Sequence, residues 1–165
     1  MRKVSPRERR IFPLNKLLAF TVTGQTMNED PQKTWADYYE RKKDQRLSEA
    51  SLMWKQLNEA GVSSETVLAL DFIHFGNSEE GVESLAKQLS ENYEIKIVAG
   101  DEPGYWFIQG TTRPNGITLD GEQHSNWVAF MADVAQSHSC VFSSWALEAP
   151  SLGVKFNSEN IESGS

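Results

Sequence analysis

Between Thr66 and Ala149 the spacing of apolar residues changes repeatedly, and it reads strand, helix, strand, strand, helix, strand. Few folds accept that order. Thr66 to Phe75 is dense in Val, Leu, Ile and Phe, is too short for a long helix, and closes on Gly76-Asn77, which predicts a buried strand. Asn77 is placed to cap a helix, with Glu80 three positions on to complete a capping box, and Val82, Leu85, Ala86, Leu89 and Tyr93 then form one apolar stripe. Tyr93 to Ala99 alternates through Ile95 and Ile97, and Gly100 to Gly104 supplies the Gly, Pro and Asp chemistry of a hairpin loop. Tyr105 to Thr112 is the third predicted strand, with its aromatic residues assigned to core packing on one face. A second helix opens at Asp120, with Gln123 as capping partner, and its predicted buried stripe is Trp127, Phe130, Met131, Val134 and Ala135. Val141 to Glu148 is the last strand, before Pro150.

Two β-α-β halves joined by a hairpin predict an α+β domain of the ferredoxin-like kind, β-α-β-β-α-β, with a four-stranded antiparallel sheet and both helices on one face. Ahead of it, Thr34 to Ala60 places Trp35, Tyr38, Tyr39, Leu47, Ala50, Met53, Trp54 and Leu57 three or four apart. That is an extra N-terminal amphipathic helix ended by Gly61, expected to cover the sheet edge or its free face. The chain divides into residues 1–33, a disordered basic tail; residues 34–150, the domain with its added helix; and residues 151–165, a flexible tail. A length of 165 residues suits one such domain.

Charge sorts the partners. Residues 1 to 26 carry six bases against Glu8, a net +5, so the remainder of a chain at −7 carries −12. Met27 lies where the sign changes, which raises the alternative that translation begins there; N-terminal mass analysis of the native protein distinguishes the two. From Thr66 to Ala149, 12 acidic residues stand against Lys87, Lys96 and Arg113 alone. Nucleic acid is bound by neutralising phosphates with Lys and Arg, so such a body repels it and attracts a basic protein instead. Cys140 is the single cysteine, which excludes an intramolecular disulfide and a cysteine-based metal site. No apolar run approaches the ~20 residues that span a bilayer. The apolar stretch from Ile11 to Phe20 is interrupted by Pro13, Asn15 and Lys16, and no Ala-x-Ala site follows, so a cytoplasmic location is expected rather than export.

Candidate chemistry is sparse. Cys140 with His138 and Asp133 is the nearest approach to a nucleophile and base, yet an acidic setting raises a thiol pKa, and a small buried residue is the simpler reading. His74, His124 and His138 lack the paired spacing of a metal site, and His74, alternating with Leu70 and Phe72 on one strand face, reads as a hydrogen-bonded sheet histidine. Asp71 interrupts an apolar strand and needs a backbone donor, Arg113 or the open sheet face to accommodate it. No catalytic residues, metal or cofactor are expected. The clearest feature is the acidic series Glu79, Glu80, Glu83, Glu91, Glu94, Asp101 and Glu102, which runs over the first β-α-β half with only Lys87 and Lys96 to counter it; a solvated face commonly mixes both signs.

The stretch from residue 35 to 149 resembles the ribonuclease E inhibitor family, regulator of ribonuclease E activity B. The matching pattern is Leu57-x-x-x-Gly61, Glu79-Glu80-Gly81, Gly110-Thr111-Thr112, Trp127-x-x-x-Met131-x-x-x-Ala135 and the closing Ser144-Trp145-Ala146-Leu147-Glu148. The resemblance implies a ferredoxin-like domain that binds the arginine-rich, disordered scaffold region of ribonuclease E and restrains RNA decay without being an enzyme. The acidic series is the expected protein-binding surface. Two alternatives remain: a small enzyme or ligand-binding domain using the open sheet face around Asp71, His74 and Tyr105, and an RNA-binding module that stacks bases on the aromatics of Tyr105 to Phe107.

Overall fold

The computed structural model describes residues 31–161. Its elements in chain order are α1 (Pro31–Glu59), β1 (Ala69–Gly76), α2 (Glu79–Leu89), β2 (Glu94–Ala99), β3 (Trp106–Thr111), α3 (Gly121–Ser137), β4 (Val141–Ala149) and β5 (Val154–Asn157). The expected basic tail and the alternative start at Met27 lie outside the described residues, apart from residues 31–33, which already belong to α1.

The sheet order is β2-β3-β1-β4-β5 with every neighbouring pair antiparallel. Its first four strands are in the ferredoxin-like order, as the sequence predicts: each β-α-β half skips one strand, and the other half fills the gap. Alternation decides the faces. Leu70, Phe72, His74, Ile108, Trp145 and Leu147 are buried under the helices, whereas Asp71, Ile73 and Phe75 on β1, Phe107, Gln109 and Thr111 on β3, and Glu94, Lys96 and Val98 on β2 point the other way. Gly110 stands opposite Phe72, whose ring occupies the space a β-carbon at Gly110 would need.

The capping chemistry is close to prediction. Asp120 accepts the Gln123 amide N–H and the Gln123 side chain returns to the Asp120 amide, a full capping box. On α2 the cap is Ser78, one residue beyond the predicted Asn77: its hydroxyl accepts the Gly81 N–H at 3.1 Å. Gly61 ends α1 as predicted, with φ at +105°, while the Val62 N–H reaches back to the Leu57 carbonyl at 2.9 Å.

Three expectations are corrected. First, α1 covers neither the sheet edge nor the free face; it packs along α3 in the helical layer. Ala50, Met53 and Leu57 are buried there, Trp54 lies against Gly121 and His124, and Lys43 pairs with Asp133 at 3.1 Å, so the two helices run antiparallel. Second, the expected flexible tail is structured as far as residue 161. Val154 to Asn157 adds β5 to the edge of β4, the Ser158 hydroxyl accepts the Trp145 amide N–H, and Ile161 is buried. Third, Phe130 is 50% exposed. The inward arc of α3 centres on His124, Val128, Met131 and Ala135, and Phe130 lies about 100° of helical rotation from Met131.

Candidate docking surface

Helix α2 is built to show acid to solvent. Val82, Leu85, Ala86 and Leu89 are buried, which turns Glu79, Glu80, Glu83 and Lys87 outward. Glu79 and Glu80 occupy the first turn, where the positive end of the helix dipole favours carboxylates. Glu91 follows the helix, Glu94 opens β2 on the open face, and Asp101 and Glu102 lie in the β2–β3 hairpin; all seven residues of the series are exposed. None of the seven is in an ion pair among the described residues.

Topology divides the series. Gly76 stands opposite Trp106, and Trp106 opposite Ala99, so the start of α2 and the β2–β3 hairpin leave from the same end of the sheet. Glu79, Glu80, Asp101 and Glu102 therefore gather at one end, with Glu83 one turn away along α2. Glu91 and Glu94 lie at the other end of an 11-residue helix, ~16 Å off and about two Debye lengths at physiological salt. On α1, Lys43 pairs with Asp133 and Arg46 with Glu49 at 2.7 Å.

The residues weighed for chemistry do not assemble. Cys140 is buried, its thiol donates to the His138 carbonyl at 3.5 Å, and burial pushes its pKa up to about 12. His138 turns away from it: its Nε2 is 2.8 Å from Gln88 Oε1 and its Nδ1 2.7 Å from the Ser84 hydroxyl. Asp133 is taken by Lys43. This Ser84–His138–Gln88 chain had no sequence signal, because its members are brought together by packing: a β-carbon on Gly81 would collide with the His138 carbonyl, so the start of α2 sits tightly on the end of α3. Ser84 lies within α2, and its hydroxyl is also 3.1 Å from the Gly81 carbonyl one turn back in the same helix. The chain clamps two helices together.

His124 Nε2 accepts the Trp145 indole N–H at 3.0 Å, and burial lowers its pKa to about 4. His74 is fully buried between Phe72 and Phe142, neither ring nitrogen has a hydrogen-bond partner among the described residues, and burial lowers its pKa to about 3. Asp71 points to the opposite face from His74, so the Asp71, His74 and Tyr105 constellation does not form. Two of the three accommodations expected for Asp71, Arg113 and the open face, hold at once. It lies on the open face, accepts the Thr111 hydroxyl at 2.5 Å and pairs with Arg113 at 3.2 Å, and Arg113 also reaches Glu148 at 2.6 Å. Desolvation opposes ionisation of Asp71, but the hydrogen bonds from Arg113 and Thr111 outweigh it and hold the carboxyl below its usual range.

Sequence reading also missed a shallow trough across the open face, about 480 Å³ in volume and crossing all five strands, with Ile73, Gln109, Ala146 and Lys155 among its lining. Among the described residues no helix is long and apolar enough to cross a membrane. No protein-family model matches the chain, and no curated protein matches it either.

Proposed function

We propose that this chain is a non-catalytic acidic regulator that docks onto a basic, flexible segment of a protein partner and inhibits it, the partner being an RNA-processing enzyme such as ribonuclease E. The supporting observation is the acidic end: Glu79, Glu80, Asp101 and Glu102, with Glu83 beside them, are exposed and carry no ion pair among the described residues. A disordered arginine-rich segment suits such a surface, since it can adapt to carboxylates placed on a helix and a hairpin, and opposite charge steers the encounter. The particular enzyme rests on the sequence resemblance described above, and the surface supports its chemistry.

Reversal of Glu79, Glu80 and Glu83 to Lys tests the surface. These side chains are exposed, so the fold is expected to survive, while affinity for an arginine-rich peptide of the enzyme falls at least tenfold. A folded triple variant that binds like the parent contradicts the proposal.

One observation favours a second reading, that of an RNA-binding module. Phe75 and Phe107 lie side by side on the open face of the two central strands, centroids 6.2 Å apart, where such modules stack bases. The basic stripe that phosphates need does not accompany them: Lys96, Arg113 and Lys155 on this face are matched by Asp71, Glu94 and Glu148.

A further inference from the structure

The open sheet face carries no net charge, although the domain as a whole is acidic. Residues 31–161 hold 10 bases and 19 acids, an excess of nine negative charges. Three bases and three acids lie on the open face, as just described, so the whole excess lies elsewhere. An acidic body repels its own copy over much of its surface; the balanced open face does not, and neither does α1, with six bases against five acids.

The face is also uneven along the strands. At the end where β1 finishes, Phe75, Val98 and Phe107 make an apolar ridge, with Phe107 37% exposed. Towards the other end lies the trough, lined by Ile73 and Ala146 and by the charged side chains of Asp71, Glu94, Lys96 and Lys155. A two-fold axis lying in the face and crossing the strands places the ridge of each copy over the trough of the other, so one surface supplies both bump and hollow. Five strands about 4.8 Å apart and about six residues long give roughly 500 Å² in projection, more with side-chain relief, which is the order of the ~800 Å² per partner found in stable interfaces.

We propose that the open face binds a second copy of this chain, ridge into trough. This goes beyond the docking reading and leaves α2 outside the contact, so a pair would present two acidic ends to one partner segment.

Sedimentation equilibrium of the full 165-residue chain tests it. The expected mass is twice the 18.6 kDa of the chain, with Phe107→Glu raising the dimer dissociation constant at least tenfold. Lys155→Glu, which unbalances the charges of the trough through an exposed side chain, is expected to do the same and serves if the first variant misfolds. A chain that stays at monomer mass up to about 200 μM overturns the proposal, as does a dimer that neither folded variant weakens. A short single-stranded RNA that binds the monomer, and loses affinity with Phe107→Glu, assigns the face to nucleic acid and also overturns it.

Discussion

His74 is the residue whose position is hardest to justify by hydrogen bonding, because its ring is closed off among apolar and aromatic neighbours. A buried histidine without partners must stay neutral, and the same burial acts on His124. Both folded values, about 3 and about 4, lie below the 6.5 of an unperturbed histidine. The unfolded chain therefore binds protons that the fold refuses, so this stability is retained above pH 6.5 and falls as pH drops, from 6.5 to about 4 for His124 and on to about 3 for His74. At pH 5 each histidine accounts for about 2 kcal/mol of that loss. His74→Leu, which removes the orphaned polar group, is expected to stabilise the protein by roughly 1 to 3 kcal/mol at pH 7 and to remove one histidine's share of the acid loss. Urea unfolding at pH 7 and pH 5 measures both; an unchanged pH dependence in the variant refutes the account. The sequence put His74 beside Leu70 and Phe72 in a strand, and periodicity alone left open which face they shared. The sheet answers that: the face is the core.

At the scale of elements, the strands and caps were legible because their causes are local. The alternation at Ile95, the hairpin chemistry of Gly100 to Gly104 and the Asp120–Gln123 box each act over a few residues. The seat of α1 and the existence of β5 were not legible. The apolar stripe of α1 shows that it needs cover and says nothing of which element provides it; the complement is the flank of α3, opened to close approach at Gly121. Four residues, Val154 to Asn157, follow a proline turn and have too short a pattern to declare a strand, and their pairing is fixed only by the edge of β4. Close packing within the sheet gives a sharp prediction. Gly110→Ala sets a methyl into the Phe72 ring, which is itself buried against Tyr93 and Trp127, so the ring cannot swing away freely. A loss of about 1 to 3 kcal/mol in denaturant unfolding is expected. A variant as stable as the parent means that the Phe72 ring does not lie over Gly110.

At the scale of the whole molecule, charge does what topology cannot, since unrelated functions share this strand order. The acidic series was visible in the sequence as a run, but its division into a five-residue end and a distant pair, Glu91 and Glu94, needed the register of β1, β2 and β3. The separate neutral face was hidden too, because Lys155 and Glu148 pair across β4 and β5, an arrangement that depends on the missed strand. The proposed capture of a basic segment by the acidic end works through electrostatic steering, which acts on the association rate. Stopped-flow mixing of the full chain with an arginine-rich peptide from the enzyme's disordered region, from about 0.05 to 0.5 M salt, is expected to show an association rate that falls at least tenfold while dissociation changes much less. An association rate indifferent to salt contradicts the claim.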